Sequence, residues 1–202
     1  MDSGILIAFE GIDGTGKSTQ CRMLSELLTK KKISNIVFAE PTKGKWGMEI
    51  RKLLSEGRKG ISPEEELKLF INDRKEDVEI NIQPALNAGK VVLMDRYYFS
   101  TAAYQGALGF DPQKIKADNE NFAPPPDRVL IFHNSPEKSL ERIESAREEK
   151  STFERSDYLI NVQKIFKSFT GSRIRFISSD SNLEEVHEQV LLEVQDLFDR
   201  KL

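Results

Sequence analysis

With 202 residues, 38% of them hydrophobic and 31% charged, the chain reads as a single α/β domain over residues 1–202, long enough to bury a core on both faces of one sheet. A net charge of −3 argues against a general nucleic-acid binder, and no apolar run approaches the roughly 20 residues of a membrane span. Cys21 is the one cysteine, which rules out an internal disulfide; with no secretory leader ahead of the first strand, the chain reads as cytosolic.

Ile5-Leu6-Ile7-Ala8-Phe9 is an unbroken apolar run, expected as a buried strand, and Thr19 to Lys30 has the pattern of a helix. Cys21 falls in that helix, where a core thiol is the expected reading. Between strand and helix lies Gly11-Ile12-Asp13-Gly14-Thr15-Gly16-Lys17-Ser18, followed by Thr19. This stretch fits G-x-x-x-x-G-K-[ST], the loop that wraps the phosphates of a nucleoside triphosphate. Its glycines let backbone N–H groups turn inward where a side chain would clash, and the helix N-terminus adds partial positive charge. Lys17 reaches the terminal phosphates and the Ser18 hydroxyl is placed to ligate Mg²⁺.

Asn35 to Ala39 is a second short strand, followed by a polar loop with Pro41, Lys43, Lys45 and Trp46 and a helix through Ile50, Leu53 and Leu54. Ser62-Pro63-Glu64-Glu65 predicts a helix start: a capping Ser, Pro at the first position and Glu at the third. That helix is expected to run to about Asn87, with Pro84 as a kink site and Gly89 ending it. Lys90 to Asp95 is the third strand, and 96–108 is loop and helix. Asp111-Pro112 opens a short helix, and Pro124-Pro125-Pro126 is a stiff lead into the fourth strand, 128–133. Helices are expected over 135–148 and about 154–169, a last strand over 175–177, and a C-terminal helix opened by Asn182 and Glu185. Apolar strands alternating with helices predict a doubly wound, five-stranded parallel sheet with helices on both faces. Ligands of such sheets sit beyond the carboxyl ends of the strands, where Gly11, Glu40, Asp95 and His133 should gather.

A phosphate loop by itself leaves kinase, GTPase and ATPase open. Asp95-Arg96-Tyr97 with Ser100-Thr101-Ala102-Ala103-Tyr104-Gln105-Gly106, Glu10-Gly11-Ile12-Asp13-Gly14 and Leu69-Phe70-Ile71-Asn72-Asp73-Arg74 decide among them. In this order, over essentially the whole chain, they closely resemble the thymidylate kinase family. The resemblance implies transfer of the γ-phosphoryl group of ATP to dTMP with Mg²⁺, and a homodimer. It implies that Phe70 stacks on thymine and Arg74, on the same helix face, bonds its carbonyl. Asp95 would orient the metal and Arg96 would bind the acceptor phosphate. Asp13 would sit near the metal and the acceptor's 3′-hydroxyl. Thr101 and, more weakly, Gln105 would contact the base, and the Tyr104 ring would close on the sugar. The family's mobile lid matches segment 141–155. Because position 15 is Thr and not Arg, the chain resembles the branch that draws positive charge from the lid, with Arg147 the first candidate and Arg142 the second.

Three positions depart from the family pattern. Ala39 stands where an Arg usually precedes Glu-Pro and holds the acceptor phosphate; Lys43, Lys45 or Arg51 is left to substitute. Thr152-Phe153-Glu154 replaces Arg-aromatic-Glu, and His133 replaces the Asp that commonly ends the fourth strand. A structural role is expected for that His. These changes leave open a related kinase with a shifted acceptor, such as dUMP, another pyrimidine monophosphate or a deoxynucleoside. A GTP-dependent switch is disfavoured, because the chain has no Asn-Lys-x-Asp element to read guanine.

Overall fold

The computed structural model describes residues 4–58, 60–134 and 152–198, the side chains of 152–156 excepted. Its centre is a parallel sheet of five strands, β1 (Ile5–Gly11), β2 (Asn35–Ala39), β3 (Val91–Asp95), β4 (Arg128–His133) and β5 (Ile174–Ser178). The sheet is parallel and five-stranded, as the alternation of strands and helices predicts, and the order β2-β3-β1-β4-β5 puts the phosphate-loop strand at its centre.

Successive residues of a strand point to opposite faces, and both faces are apolar here. Ile5, Ile7 and Phe9 of β1 join Val91, Leu93, Leu130 and Phe132 in one core. That core is covered by α1 (Lys17–Lys30), through Cys21, Leu24 and Leu28, and by α8 (Leu183–Val194), through Val186, Val190 and Val194. Cys21 is therefore a core thiol, and burial pushes its pKa up. Leu6 and Ala8 face the other way, into a second core with Val92, Met94, Val129 and Ile131. This side is closed by α5 (Tyr98–Gly106), α6 (Pro112–Glu120) and α7 (Thr152–Ser168).

Helix starts follow the residues that mark them. Ser62 Oγ accepts from the Glu65 N–H (3.2 Å) while Glu65 Oε2 accepts from the Ser62 N–H (2.9 Å), the capping box of α3 (Pro63–Asp77). Asp111 caps α6 and Asn182 caps α8, each by a side-chain oxygen that accepts from first-turn N–H groups. The long helix expected to Asn87 is interrupted where Pro84 demands it. After α3 the chain widens into a π-helical turn at Val78–Ile82 before α4 (Gln83–Asn87). Pro84 has no N–H to donate and its ring crowds the carbonyl of Ile80; a π turn absorbs both defects. The helix α2 (Lys45–Ser55) lies along α3. The helix expected over 135–148 lies outside the described residues.

Candidate active site

Registry brings the carboxyl ends of four strands together: Phe9 pairs with Asp95, Ala39 with Asp95, and Gly11 with Phe132. Gly11 has a φ of 127°, and a Cβ there would lie 2.2 Å from the Phe132 carbonyl oxygen, so only glycine lets the loop leave the sheet here. Gly16 adopts left-handed backbone (φ 84°) just before α1, whose first turn has neither a side-chain cap nor an acidic residue. Its N–H groups and partial positive charge thus meet no side-chain cap or first-turn carboxylate of their own helix. Ser18 is exposed and Thr19 half-buried in that first turn, with Gly14 exposed in the loop.

Lys17 is buried. Its ammonium donates to the Ile12 carbonyl (2.6 Å), which also accepts from Thr15 Oγ1 (2.9 Å). Burial lowers its pKa to about 8 and Arg96 adds to the shift, while Asp13, Asp95 and Glu10 pull the other way. These five groups therefore share one electrostatic neighbourhood. A strap from the far side holds the loop: Ser179 Oγ, between β5 and α8, donates to the Thr15 carbonyl (2.8 Å).

Arg96 sits in left-handed backbone, with a φ of 72°. Its Nη1 donates to the Gly11 carbonyl (3.0 Å) and Ser100 Oγ (2.9 Å), and its Nη2 to Asp13 Oδ1 (2.6 Å). The guanidinium also lies 5.3 Å from the centre of the Tyr104 ring. The phosphate loop thus meets Ser100 and Tyr104 of α5 at one cation. Beneath it, Glu10 is fully buried and accepts from the backbone N–H groups of Tyr97 (2.8 Å) and Ser100 (3.2 Å) and from the Ser100 hydroxyl. Burial raises the Glu10 carboxyl to about 7, against the pull of the Ser100 hydroxyl and the Arg96 charge.

The residues that the sequence expects at the base divide. Phe70, on α3, is half-buried and belongs to neither core cluster of the described residues. Arg74 is buried one turn on, and its fork is already engaged. Nη1 donates to Asn119 Oδ1 (2.7 Å), and Nη2 donates to Thr101 Oγ1 (3.0 Å) and to Glu40 Oε2. Three of its five N–H donors are spent on protein, and Nε has no protein partner among the described residues. Gln105 is also buried; it donates to Glu66 Oε1 (2.9 Å), which Arg58 Nε reaches as well (3.0 Å). Arg51 is exposed and donates to the Pro41 and Thr42 carbonyls, while Ala39, ahead of Glu40, is exposed. The His133 ring packs edge-on against Phe176, centroids 6.3 Å apart, and burial lowers its pKa, in keeping with a structural role. Arg142 and Arg147, and the lid segment 141–155 up to residue 151, lie outside the described residues.

Sequence reasoning gave no task to Glu10 beyond its place in a motif, and missed Glu66, Arg58 and Asn119. For Glu10 a signal existed: it is an acidic residue at the end of an otherwise apolar strand. Asn119 carries no such mark, since a polar residue near the end of a short helix usually faces water.

Comparison with known proteins shows the family and the fold. The family profile for thymidylate kinase matches residues 9–190. The chain is 45% identical to the thymidylate kinase of Desulfotalea psychrophila over 196 residues, 96% of each chain. It is 43% identical to the probable thymidylate kinase of Archaeoglobus fulgidus over 98% of each. Among solved structures, the thymidylate kinase from Ehrlichia chaffeensis superposes with a TM-score of 0.75 at 27% identity, covering 96% of this chain and 99% of that one. A central parallel sheet, a phosphate loop meeting a left-handed arginine and kinship along nearly the whole chain converge: the chain belongs to the thymidylate kinase family, nucleoside monophosphate kinases that act as phosphotransferases.

Proposed function

We propose that this chain transfers the γ-phosphoryl group of ATP to the phosphate of dTMP, giving dTDP and ADP. An oxygen of the acceptor phosphate attacks the γ-phosphorus in line as the bond to the departing ADP oxygen breaks. The observation that carries this reading is the Arg96 fork, held at once by the Gly11 carbonyl and Asp13 Oδ1 of the phosphate loop. A cation at that junction attracts both anionic substrates and stabilises charge that spreads during transfer. In this reading the loop amides of Gly11, Asp13, Gly14, Thr15 and Gly16, with Lys17, Ser18 and Thr19, hold the donor phosphates.

Phe70 supplies the stacking face for the base. The N–H groups that Arg74 has left offer a donor to a pyrimidine carbonyl, with Thr101 and Tyr104 completing the acceptor side and Gln105 acting through its buried bond to Glu66. Ser18, Asp95 and Asp13 are hard oxygen donors around the buried Lys17, a set that suits Mg²⁺ shared with phosphates and water. Mg²⁺ there supplies charge neutralisation between donor and acceptor. The lid arginines, Arg147 and then Arg142, add charge on the outer side. A homodimer and a cytosolic location belong to the same reading.

An ATP-coupled assay over dTMP, dUMP, UMP and thymidine tests it. The highest kcat/KM is expected with dTMP, and the absence of turnover with every mononucleotide would overturn the proposal. A shifted acceptor is favoured only by the exposed Ala39 and by Arg51 being turned onto backbone carbonyls, and the same assay decides it.

Phe70→Ala should raise KM for dTMP about 5- to 100-fold, the value of one base–aromatic stack, with kcat less affected. Because Phe70 lies outside both cores, its melting temperature should stay close to that of the parent. A large loss of thermal stability with unchanged KM would assign the ring to packing instead.

A further inference from the structure

Among the described residues, Glu10 is an acidic side chain with no exposed surface and no contact to substrate in the reading above. Glu10 lies under the junction of phosphate loop and acceptor side, and all its recorded hydrogen-bond partners come from the segment that begins at Arg96. Tyr97, the residue before α5, offers that helix no side-chain cap. Glu10 Oε1 fills the role from β1, taking the Tyr97 and Ser100 N–H groups. Oε2 takes the Ser100 hydroxyl proton, so the Ser100 oxygen turns its lone pairs towards Arg96 Nη1, 2.9 Å away. A hydroxyl has one proton to give. With that proton committed to a carboxylate, the oxygen can only accept, which suits a guanidinium that can only donate.

We propose that Glu10 is a positioning residue for phosphoryl transfer, aiming the Arg96 guanidinium through a Glu10–Ser100–Arg96 relay. The proposal rests on the role given to Arg96 above. The relay starts on β1, the strand that leads into the phosphate loop, and ends on a residue of the acceptor side. It therefore ties the position of the cation to that of the donor phosphates. Misplacement of a reacting or stabilising group by a fraction of a bond length is enough to slow an enzyme substantially, so a rigid tie of this kind acts on kcat.

The experiment is a double-mutant cycle between Ser100→Ala and Arg96→Ala, with Glu10→Gln alongside. Ser100→Ala breaks the relay but leaves both backbone bonds to Glu10 Oε1, so α5 stays capped. Arg96→Ala alone should lower kcat/KM for dTMP by about 100- to 1000-fold, of the order found for a positioned charge-stabilising donor. Ser100→Ala alone should lower kcat about 10- to 100-fold with little change in KM for ATP. In the Arg96→Ala background, Ser100→Ala should cost less than about twofold, because nothing remains to be aimed. Glu10→Gln, whose amide presents N–H donors where acceptors are needed, should match or exceed the Ser100→Ala loss in kcat. Equal losses from Ser100→Ala in both backgrounds would overturn the relay and leave Glu10 a helix cap alone. So would near-parental kcat for Ser100→Ala. Near-parental kinetics for Arg96→Ala itself would instead remove the assigned role of Arg96, and the relay with it.

Discussion

Lys17→Ala is expected to lower turnover of ATP with dTMP by about three to five orders of magnitude, the span attached to withdrawing a cation from a transferred phosphoryl group. The loss should be catalytic and not a failure to fold. Among the described residues Lys17 Nζ bonds only the Ile12 carbonyl, and that carbonyl keeps the Thr15 hydroxyl at 2.9 Å when the ammonium is gone. Thermal melts should therefore nearly coincide while steady-state rates diverge. The pH profile offers an independent check. In the protein without nucleotide the ammonium titrates near 8, drawn down from an ordinary 10.5 by burial and then by Arg96. In the role proposed for Lys17 the charged form holds the triphosphate, so kcat/KM for ATP, which reports the free enzyme, should fall as pH rises through about 8. Lys17→Ala should lack that limb. A variant that kept both the limb and the rate would show that another group carries the charge.

Arg74→Ala is expected to destabilise the fold by about 3–5 kcal/mol, because it leaves the Glu40 carboxylate buried without its cation. Arg74 and Glu40 are 1% and 7% exposed, so water cannot replace the lost partner. Asn119 and Thr101 lose their donor at the same time. For a domain of this size the loss corresponds to roughly 10 °C in Tm. Its pH dependence has a defined sign. Burial already pushes the Glu40 carboxyl upward, with Arg74 opposing; without Arg74 the folded-state pKa stands further above its unfolded value. The native variant then binds more protons than the unfolded chain, and stability is lost as pH rises through that folded value. Because the Glu40 carboxyl of the parent is itself raised to about 8, the gap between variant and parent should open above that value and be wider at pH 9.5 than at pH 7. A variant as stable as the parent at both would mean that the pair contributes nothing to the fold.

Much of this architecture was legible because local signals agreed with one another. The apolar run of β1 reads as doubly covered, and Leu6 and Ile7 do enter different cores. The Ser62–Glu65 box and Pro63 fix the start of α3, and Pro84 foretells the break ahead of α4, though not that a π turn would make it. The phosphate loop is legible as a contiguous motif. The second layer of the site is not, because it is assembled from residues far apart in the chain. Glu10 and Ser100 are 90 positions apart, Arg74 and Asn119 are 45, and Gln105 and Glu66 are 39. No periodicity links such pairs; only the folded topology does. For the same reason Arg74 and Gln105 read from sequence as residues free to face a base, whereas the fold had already engaged most of one and buried the other.

The left-handed backbone of Arg96 has a consequence for how the enzyme changes. Every residue except glycine resists that conformation, by about 1–2 kcal/mol, so the loop after β3 is wound like a spring before any substrate arrives. The backbone that carries the guanidinium is thereby set before any substrate arrives. Mutational drift at this position faces an asymmetric choice: glycine would relax the coil and forfeit the cation, while other side chains would keep the tension and gain nothing from it.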